Sequence, residues 1–240
     1  MIELVNLTKR FGDVAAVDHL NLEVAGGELF VFLGPNGAGK TTTIKLIAGL
    51  LRPTEGRVTL CGHDVQSDYM AAKSLLSYVP DQPFLYEKLT GREFLEFVGN
   101  MYGVERDTIR RRIGELAEMF EMTGFLDGPG ETYSHGMKQR VVISAALLHD
   151  ARVIVIDEPV VGLDPKGAKT LKAVLREQTD RGVAVFMSTH TLGVAEDVAD
   201  RVGIIRKGAL VTVGTLDEIY RAARTDQRLE DAFLRLTEEA

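Results

Sequence analysis

The chain has 240 residues, 45% of them apolar, which suits one large domain or two small ones with an ordinary core. Lys plus Arg number 28 against 35 Asp plus Glu, a net charge of −7 that argues against a broad nucleic-acid-binding surface. No stretch approaches the ~20 apolar residues of a membrane helix, Met1-Ile2-Glu3 has no basic or apolar leader character, and the single cysteine, Cys61, excludes an intrachain disulfide and a cysteine-based zinc cluster, so a cytoplasmic chain is expected.

Ile2 to Thr8 reads as a weak strand, broken at Lys9-Arg10-Phe11-Gly12. Val17 to Val24 alternates as a second strand, and Ala25-Gly26-Gly27 turns it into the apolar run Leu29–Leu33. That run enters Gly34-Pro35-Asn36-Gly37-Ala38-Gly39-Lys40-Thr41, which fits the phosphate-binding pattern G-x-x-x-x-G-K-[ST]. A helix over 42–51 is expected next, with Ile44, Ile47 and Leu51 on one face. Strand, glycine loop and helix in this order have a chemical reason. Gly37 and Gly39 let successive N–H groups turn inward on an anion, and the helix adds its positive end. Lys40 is placed to reach the β- and γ-phosphates, and the Thr41 hydroxyl to ligate magnesium. Phe11, flat and beside a glycine, is placed to stack on a nucleotide base; the alternative is a core or edge phenylalanine.

Further along, Arg57–Leu60 and Leu75–Pro80 read as short strands, the second ending at Pro80-Asp81-Gln82-Pro83, where two prolines make the loop extended and rigid. Residues 90–121 turn helical, with Phe94, Phe97, Val98 and Met101 on one face and Ile109, Ile113, Leu116, Ala117 and Phe120 on another. Residues 124–130 are turn-rich, and a helix over 138–149 follows Tyr133-Ser134-His135-Gly136-Met137. Val153–Glu158 is a buried strand ending in two carboxylates: Asp157 is suited to the magnesium shell, and Glu158 to orienting or deprotonating a water. After the turn at Gly162-Leu163-Asp164-Pro165 comes a helix with Ala168, Leu171, Val174 and Leu175 inward. Val183–Met187 is a further buried strand, and His190 lies just past its end, at the edge where open parallel sheets bind ligands. Strands over 202–206 and 210–213 and an amphipathic helix carrying Leu229, Ala232, Phe233 and Leu236 complete the chain.

Seven elements in this order resemble the ATP-binding subunit of ABC transporters over nearly the whole chain. Phe11 matches the adenine-stacking aromatic, 34–41 the Walker A loop and Gln82 the Q-loop. Residues 134–140 match the signature, 153–158 Walker B, Leu163-Asp164 the D-loop and His190 the switch histidine. Tyr133-Ser134-His135-Gly136-Met137-Lys138-Gln139-Arg140 and the ending over 229–237 look like the subunits of small ABC-2-type exporters. The signature departs from Leu-Ser-Gly-Gly-Gln: Ser134 and Gly136 keep a hydroxyl and a glycine N–H, while His135 replaces a glycine.

The resemblance implies an α/β fold: a P-loop NTPase core with a mostly parallel sheet, an N-terminal antiparallel β part and an inserted helical subdomain. As one domain over 1–240, the core takes 1–86 and 150–240 and the helical part 87–149. It implies ATP contacts from Phe11, Gly34, Pro35, Asn36, Gly37, Ala38, Gly39, Lys40, Thr41 and Thr42. Magnesium would be held by Thr41, Gln82 and, through water, Asp157; catalysis would fall to Glu158 and His190. Two such subunits, as homodimer or heterodimer, pair head-to-tail, so that Ser134, Gly136 and Asp164 meet the nucleotide of the other. The pair drives a separate transmembrane permease on the inner face of the cell membrane, and no nucleic acid is expected. The alternative is a soluble ABC-type ATPase acting in assembly, or on nucleic acid or the ribosome. Such forms carry two nucleotide modules or a long coiled coil, whereas here Lys40 and Ser134 are 94 positions apart with no sustained heptads.

Overall fold

The architecture follows from three all-buried strands whose alternate residues face opposite ways. The computed structural model describes residues 1–223 and 229–238, with side chains to residue 236. Strands β3 (Leu29–Leu33), β7 (Val153–Asp157) and β8 (Ala184–Thr189) have no exposed residue. With a two-residue period, Phe30, Phe32, Val153, Val155, Ala184 and Phe186 enter one core, while Leu29, Val31, Ile154, Ile156, Val185 and Met187 enter the other. These strands sit inside a six-stranded sheet of order β10-β9-β3-β8-β7-β6, with β6 at Leu76–Val79, β9 at Arg201–Arg206 and β10 at Ala209–Gly214. All neighbours are parallel except β10 with β9.

On the first face lie helix α1 (Lys40–Ile47) and an antiparallel sheet of order β2-β1-β4-β5, formed by β1 (Ile2–Phe11), β2 (Val14–Val24), β4 (Glu55–Leu60) and β5 (His63–Asp64). On the second face lie α3 (Gly91–Met101), α4 (Arg106–Met119), α5 (His135–Ala146), α6 (Pro165–Asp180), α7 (Leu192–Val198), α8 (Leu216–Ala222) and α9 (Leu229–Glu238), sharing one continuous apolar cluster. A short α2 (Tyr69–Ser74) precedes β6. Phe186 packs between Phe30 and Phe32 at ring-centroid distances of 5.5 and 5.3 Å. Phe186→Ala is expected to lower the unfolding free energy of the nucleotide-free chain by about 3–5 kcal/mol, read by urea denaturation. A loss below about 1 kcal/mol would mean that this cluster does not anchor the sheet.

Several sequence expectations shift. β1 does not break at Lys9 but runs to Phe11, because register shifts between Leu4 and Arg10 absorb its irregular pattern while it stays paired to β2. α1 starts at Lys40 rather than residue 42 and stops at Ile47, and α5 starts at His135 rather than 138, where the Ser134 side chain accepts from the Met137 N–H. β5, α2, α7 and α8 were not expected. The 90–121 stretch is two helices, and the predicted apolar face of the first is not its buried face. α3 buries Gly91, Leu95 and Gly99, while Phe97 and Met101 are exposed. The reason is close approach: a Cβ on Gly99 would lie 2.8 Å from Ile109 of α4, and one on Gly91 would lie 2.8 Å from Leu126 and from the Tyr133 hydroxyl. The small residues face inward with Leu95 so that neighbours can come near; Phe94 and Val98 of the expected face still pack against the core, and Phe97 and Met101 are left outside.

Candidate functional site at the carboxyl edge of the parallel sheet

β3, β6, β7 and β8 all end on the same edge of the parallel sheet, and each delivers polar groups there. From β3 comes the glycine loop. Gly37 and Gly39 take φ of 78° and 109°, in the left-handed region that favours glycine. Gly39 is needed twice over, since a Cβ there would lie 2.3 Å from the Ala16 carbonyl of β2. Gly39 also caps α1 with no side-chain acceptor, so the first-turn N–H groups have no side-chain cap. Lys40 is 7% exposed, and its ammonium donates to the Gly34 carbonyl at 2.6 Å and the Pro35 carbonyl at 3.3 Å. Burial lowers its pKa, and the negative charges of Glu158 and Asp157 oppose that shift. An ammonium held between loop carbonyls and two carboxylates is poised to move onto an incoming anion.

Asp157 ends β7 and is fully buried. Ser188 of β8 donates to its Oδ1, while Oδ2 has no hydrogen-bond partner among the described residues. Burial raises the Asp157 pKa; hydrogen bonding from Ser188 and the nearby Thr41 hydroxyl works against it, and the charges of Asp81 and Glu158 add to the rise. A buried carboxylate oxygen without a partner beside a threonine hydroxyl fits a hard, oxygen-liking cation. β6 pairs with β7 up to Val79 and Ile156, so the segment that leaves β6 starts one residue from Asp157 in register. Asp81, in that segment, brings its charge to bear on Asp157. Gln82 is exposed and donates its backbone N–H to Asp81 Oδ1 at 2.9 Å.

Glu158 turns out of the strand with φ 49°, a left-handed conformation that costs a side-chain-bearing residue roughly 1–2 kcal/mol. Its N–H is held by the Ser188 carbonyl at 3.2 Å. Its carboxylate, 15% exposed, meets His190 twice: Oε1 lies 2.9 Å from Nδ1, and Oε2 accepts the His190 backbone N–H at 3.3 Å. Strain and two anchors together hold one carboxylate at the opening of the loop. Neither Asp81 nor Ser188 was singled out by the sequence reading; their roles come from strand register, which a linear motif does not encode.

Phe11 sits at the tip of the β1–β2 hairpin, 52% exposed, with the Lys9 ammonium 5.1 Å from its ring centroid. The hairpin is fixed to the loop side, since the Gly208 carbonyl accepts from Asp18 N–H while the Gly208 N–H donates to Ala38. Ser134, Gly136 and Asp164 form a separate group, with no hydrogen bond to the glycine loop among the described residues. Asp164 Oδ1 accepts from Gly167 N–H at 3.0 Å and from Arg140 at 2.7 Å, and those two contacts, the backbone one first, hold its pKa below the ordinary carboxylate value.

The family described as ABC transporter matches residues 17–161. The chain is 34% identical over 240 residues to the probable multidrug ABC transporter ATP-binding protein YbhF of Escherichia coli (strain K12), covering 98% of this chain and 41% of that protein. The chain thus spans less than half the length of that relative. A solved ATP binding subunit of an ABC transporter superposes with TM-score 0.94 at 32% identity, over 98% of this chain and 99% of that one. The dimeric ATP-binding cassette MJ0796 in a post-hydrolysis state, bound to ADP and Pi, superposes with TM-score 0.80 at 27% identity, over 90% of this chain and 99% of that one.

Proposed function

The chain belongs to the ABC transporter family, and from that premise we propose that it is the ATP-hydrolysing motor subunit of a transporter, of exporter type. One observation carries the reading. A glycine loop with a buried lysine, a buried aspartate with an open oxygen, and a glutamate clamped by a histidine converge on one sheet edge. Residues 34–42 would cradle the phosphates of ATP, with Lys40 moving from its loop carbonyls to the β- and γ-oxygens and Phe11 stacking on the base. Magnesium would lie by Thr41 and Asp157, where it would neutralise developing charge on the phosphates; Gln82 would reach it only by turning inward. Glu158 would take the proton of the attacking water, and His190 would hold Glu158 in line.

The group around Ser134, Gly136 and Asp164 supports a two-subunit arrangement. Ser134 is exposed and caps α5, with Gly136 half-buried in the first turn, so a hydroxyl and a helix N-terminus lie at the surface together. In an isologous head-to-tail pair, each subunit would present them to the nucleotide of the other, and ATP would stabilise the closed pair by mass action. Residues 1–86 and 150–240 would form the core, with 87–149 the helical arm. Phe84, Tyr86 and Phe97 are exposed and pack edge-on against one another, with centroids 5.5 and 5.8 Å apart, beside the 80–83 loop. Such an aromatic patch suits docking of a cytoplasmic loop of a separate permease. No described helix is long and apolar enough to cross a membrane. Pull-down from solubilised membranes is expected to bring down a polytopic membrane protein, and Phe84→Glu to release it; recovery of ribosomes or a soluble assembly partner instead would move the reading to a soluble ATPase. The YbhF relative, whose name gives it as a multidrug transporter component, supports export.

Phe11→Ala is expected to raise the ATP dissociation constant by about tenfold, since stacking is worth ~1–3 kcal/mol and Phe11 is half exposed. Turnover at saturating ATP should stay within about twofold, because the base is remote from the γ-phosphate. Equilibrium binding and steady-state kinetics read the two separately; a loss in kcat with unchanged affinity would remove Phe11 from the base site.

A further inference from the structure

Helix α5 presents one face to the loop that follows Glu158. His135 and Gln139 lie at positions i and i+4, on one side of the helix, and the long Arg140 side chain beside them reaches the same loop. Gln139 Nε2 donates to the Pro159 carbonyl at 3.3 Å, at the start of the loop, and Arg140 pairs with Asp164 at 2.7 Å, at its end. His135 meets the apex. Gly162 has φ +83°, and a Cβ there would lie 2.1 Å from His135 Cδ2 and 2.8 Å from Nε2. The imidazole thus occupies the space that any other residue at 162 would fill. The fit is reciprocal, for a Cβ on Gly136 would lie 2.5 Å from the Gly162 carbonyl. The loop itself is two successive turns, Val161 N–H to the Glu158 carbonyl and Leu163 N–H to Val160, both at 3.2 Å. Val161, Gly162 and His135 are all exposed, and the atoms nearest the empty Cβ position of Gly162 all belong to the imidazole.

We propose that His135 is a positioning residue, whose ring, seated on the bare Cα of Gly162, fixes the loop that carries Glu158 to the first turn of α5. Its work is done by a flat ring and not by charge toward a phosphate, because the imidazole faces its own chain's loop. Where Ser134 and Gly136 engage a second subunit's nucleotide, which rests on the two-subunit reading above, order in the first turn of α5 passes through His135 to Glu158 in the same chain. Each site then reports its occupancy to the other through this contact.

Hydrogen exchange of the nucleotide-free chain tests the contact directly. His135→Ala is expected to speed exchange at the Val161 and Leu163 amides by about tenfold or more, with β8 amides unchanged. His135→Phe, which keeps a flat ring and loses both nitrogens, is expected to recover most of the protection. In turnover, His135→Ala should lower kcat and leave KM for ATP within about twofold, since the glycine loop is untouched. Loop exchange within about twofold of wild type would overturn the proposal. So would acceleration spread equally over β8, which assigns His135 only a general stability role, or His135→Phe as fast as His135→Ala. The premise is tested apart: if Ser134→Ala leaves ATP-driven pairing intact, the engagement of a second subunit's nucleotide by Ser134 falls while the exchange result stands.

Discussion

Glu158→Gln should reduce ATP hydrolysis by on the order of 10²- to 10⁴-fold while leaving ATP binding intact. The amide is nearly isosteric, so the surroundings change little. Its oxygen can still accept the His190 backbone N–H, and its NH₂ can donate to Nδ1 of a neutral imidazole, the two contacts that hold the carboxylate in place. Gln tolerates the left-handed backbone at 158 as well as Glu does, so the turn out of β7 should persist. What is lost is the ability to take a proton, together with one negative charge. The test is single-turnover hydrolysis beside equilibrium nucleotide binding. Retained turnover would move the general base elsewhere.

Lys40→Ala should weaken ATP binding by on the order of 10²-fold or more, because hydrogen bonds to charged groups contribute ~1.5–3 kcal/mol each and Lys40 would make more than one. The loop also loses its own organiser: the ammonium now bridges the Gly34 and Pro35 carbonyls. Its buried position sharpens the effect, since water replaces a cation poorly in a half-enclosed loop beside two carboxylates. Calorimetric titration with ATP and magnesium reads the change, and an affinity within about threefold of wild type would refute the phosphate-binding assignment.

How much could be read in advance depended on whether a feature is local. The glycine loop was legible because its turn, its lysine and its helix start are contiguous over 34–41, and each residue type has a steric or electrostatic reason. Asp157 and Glu158 were legible because an apolar run stops at them. Asp81 was not, because its place beside Asp157 is set by the pairing of β6 with β7, two strands more than seventy residues apart in the chain. The seat of His135 on Gly162 was hidden for the same reason: a glycine chosen for close approach looks like any turn glycine until the facing helix is known. The outward Phe97 and Met101 show a further limit. Hydrophobic spacing marks an apolar face, but Gly91 and Gly99 show that close packing, and not side-chain bulk, decided which face α3 buries.

We propose that ATP joins this cassette to a second one and that hydrolysis releases the pair. In Glu158→Gln the bound ATP persists, and a negative charge near the γ-phosphate is gone, so the closed pair should outlast that of wild type. Sedimentation velocity of this variant, with its membrane partner supplied, is the direct measurement. With saturating ATP and magnesium the cassettes should pair, and with ADP and magnesium they should not. Cassettes that stay unpaired at saturating ATP, or that pair equally with ADP, would contradict it.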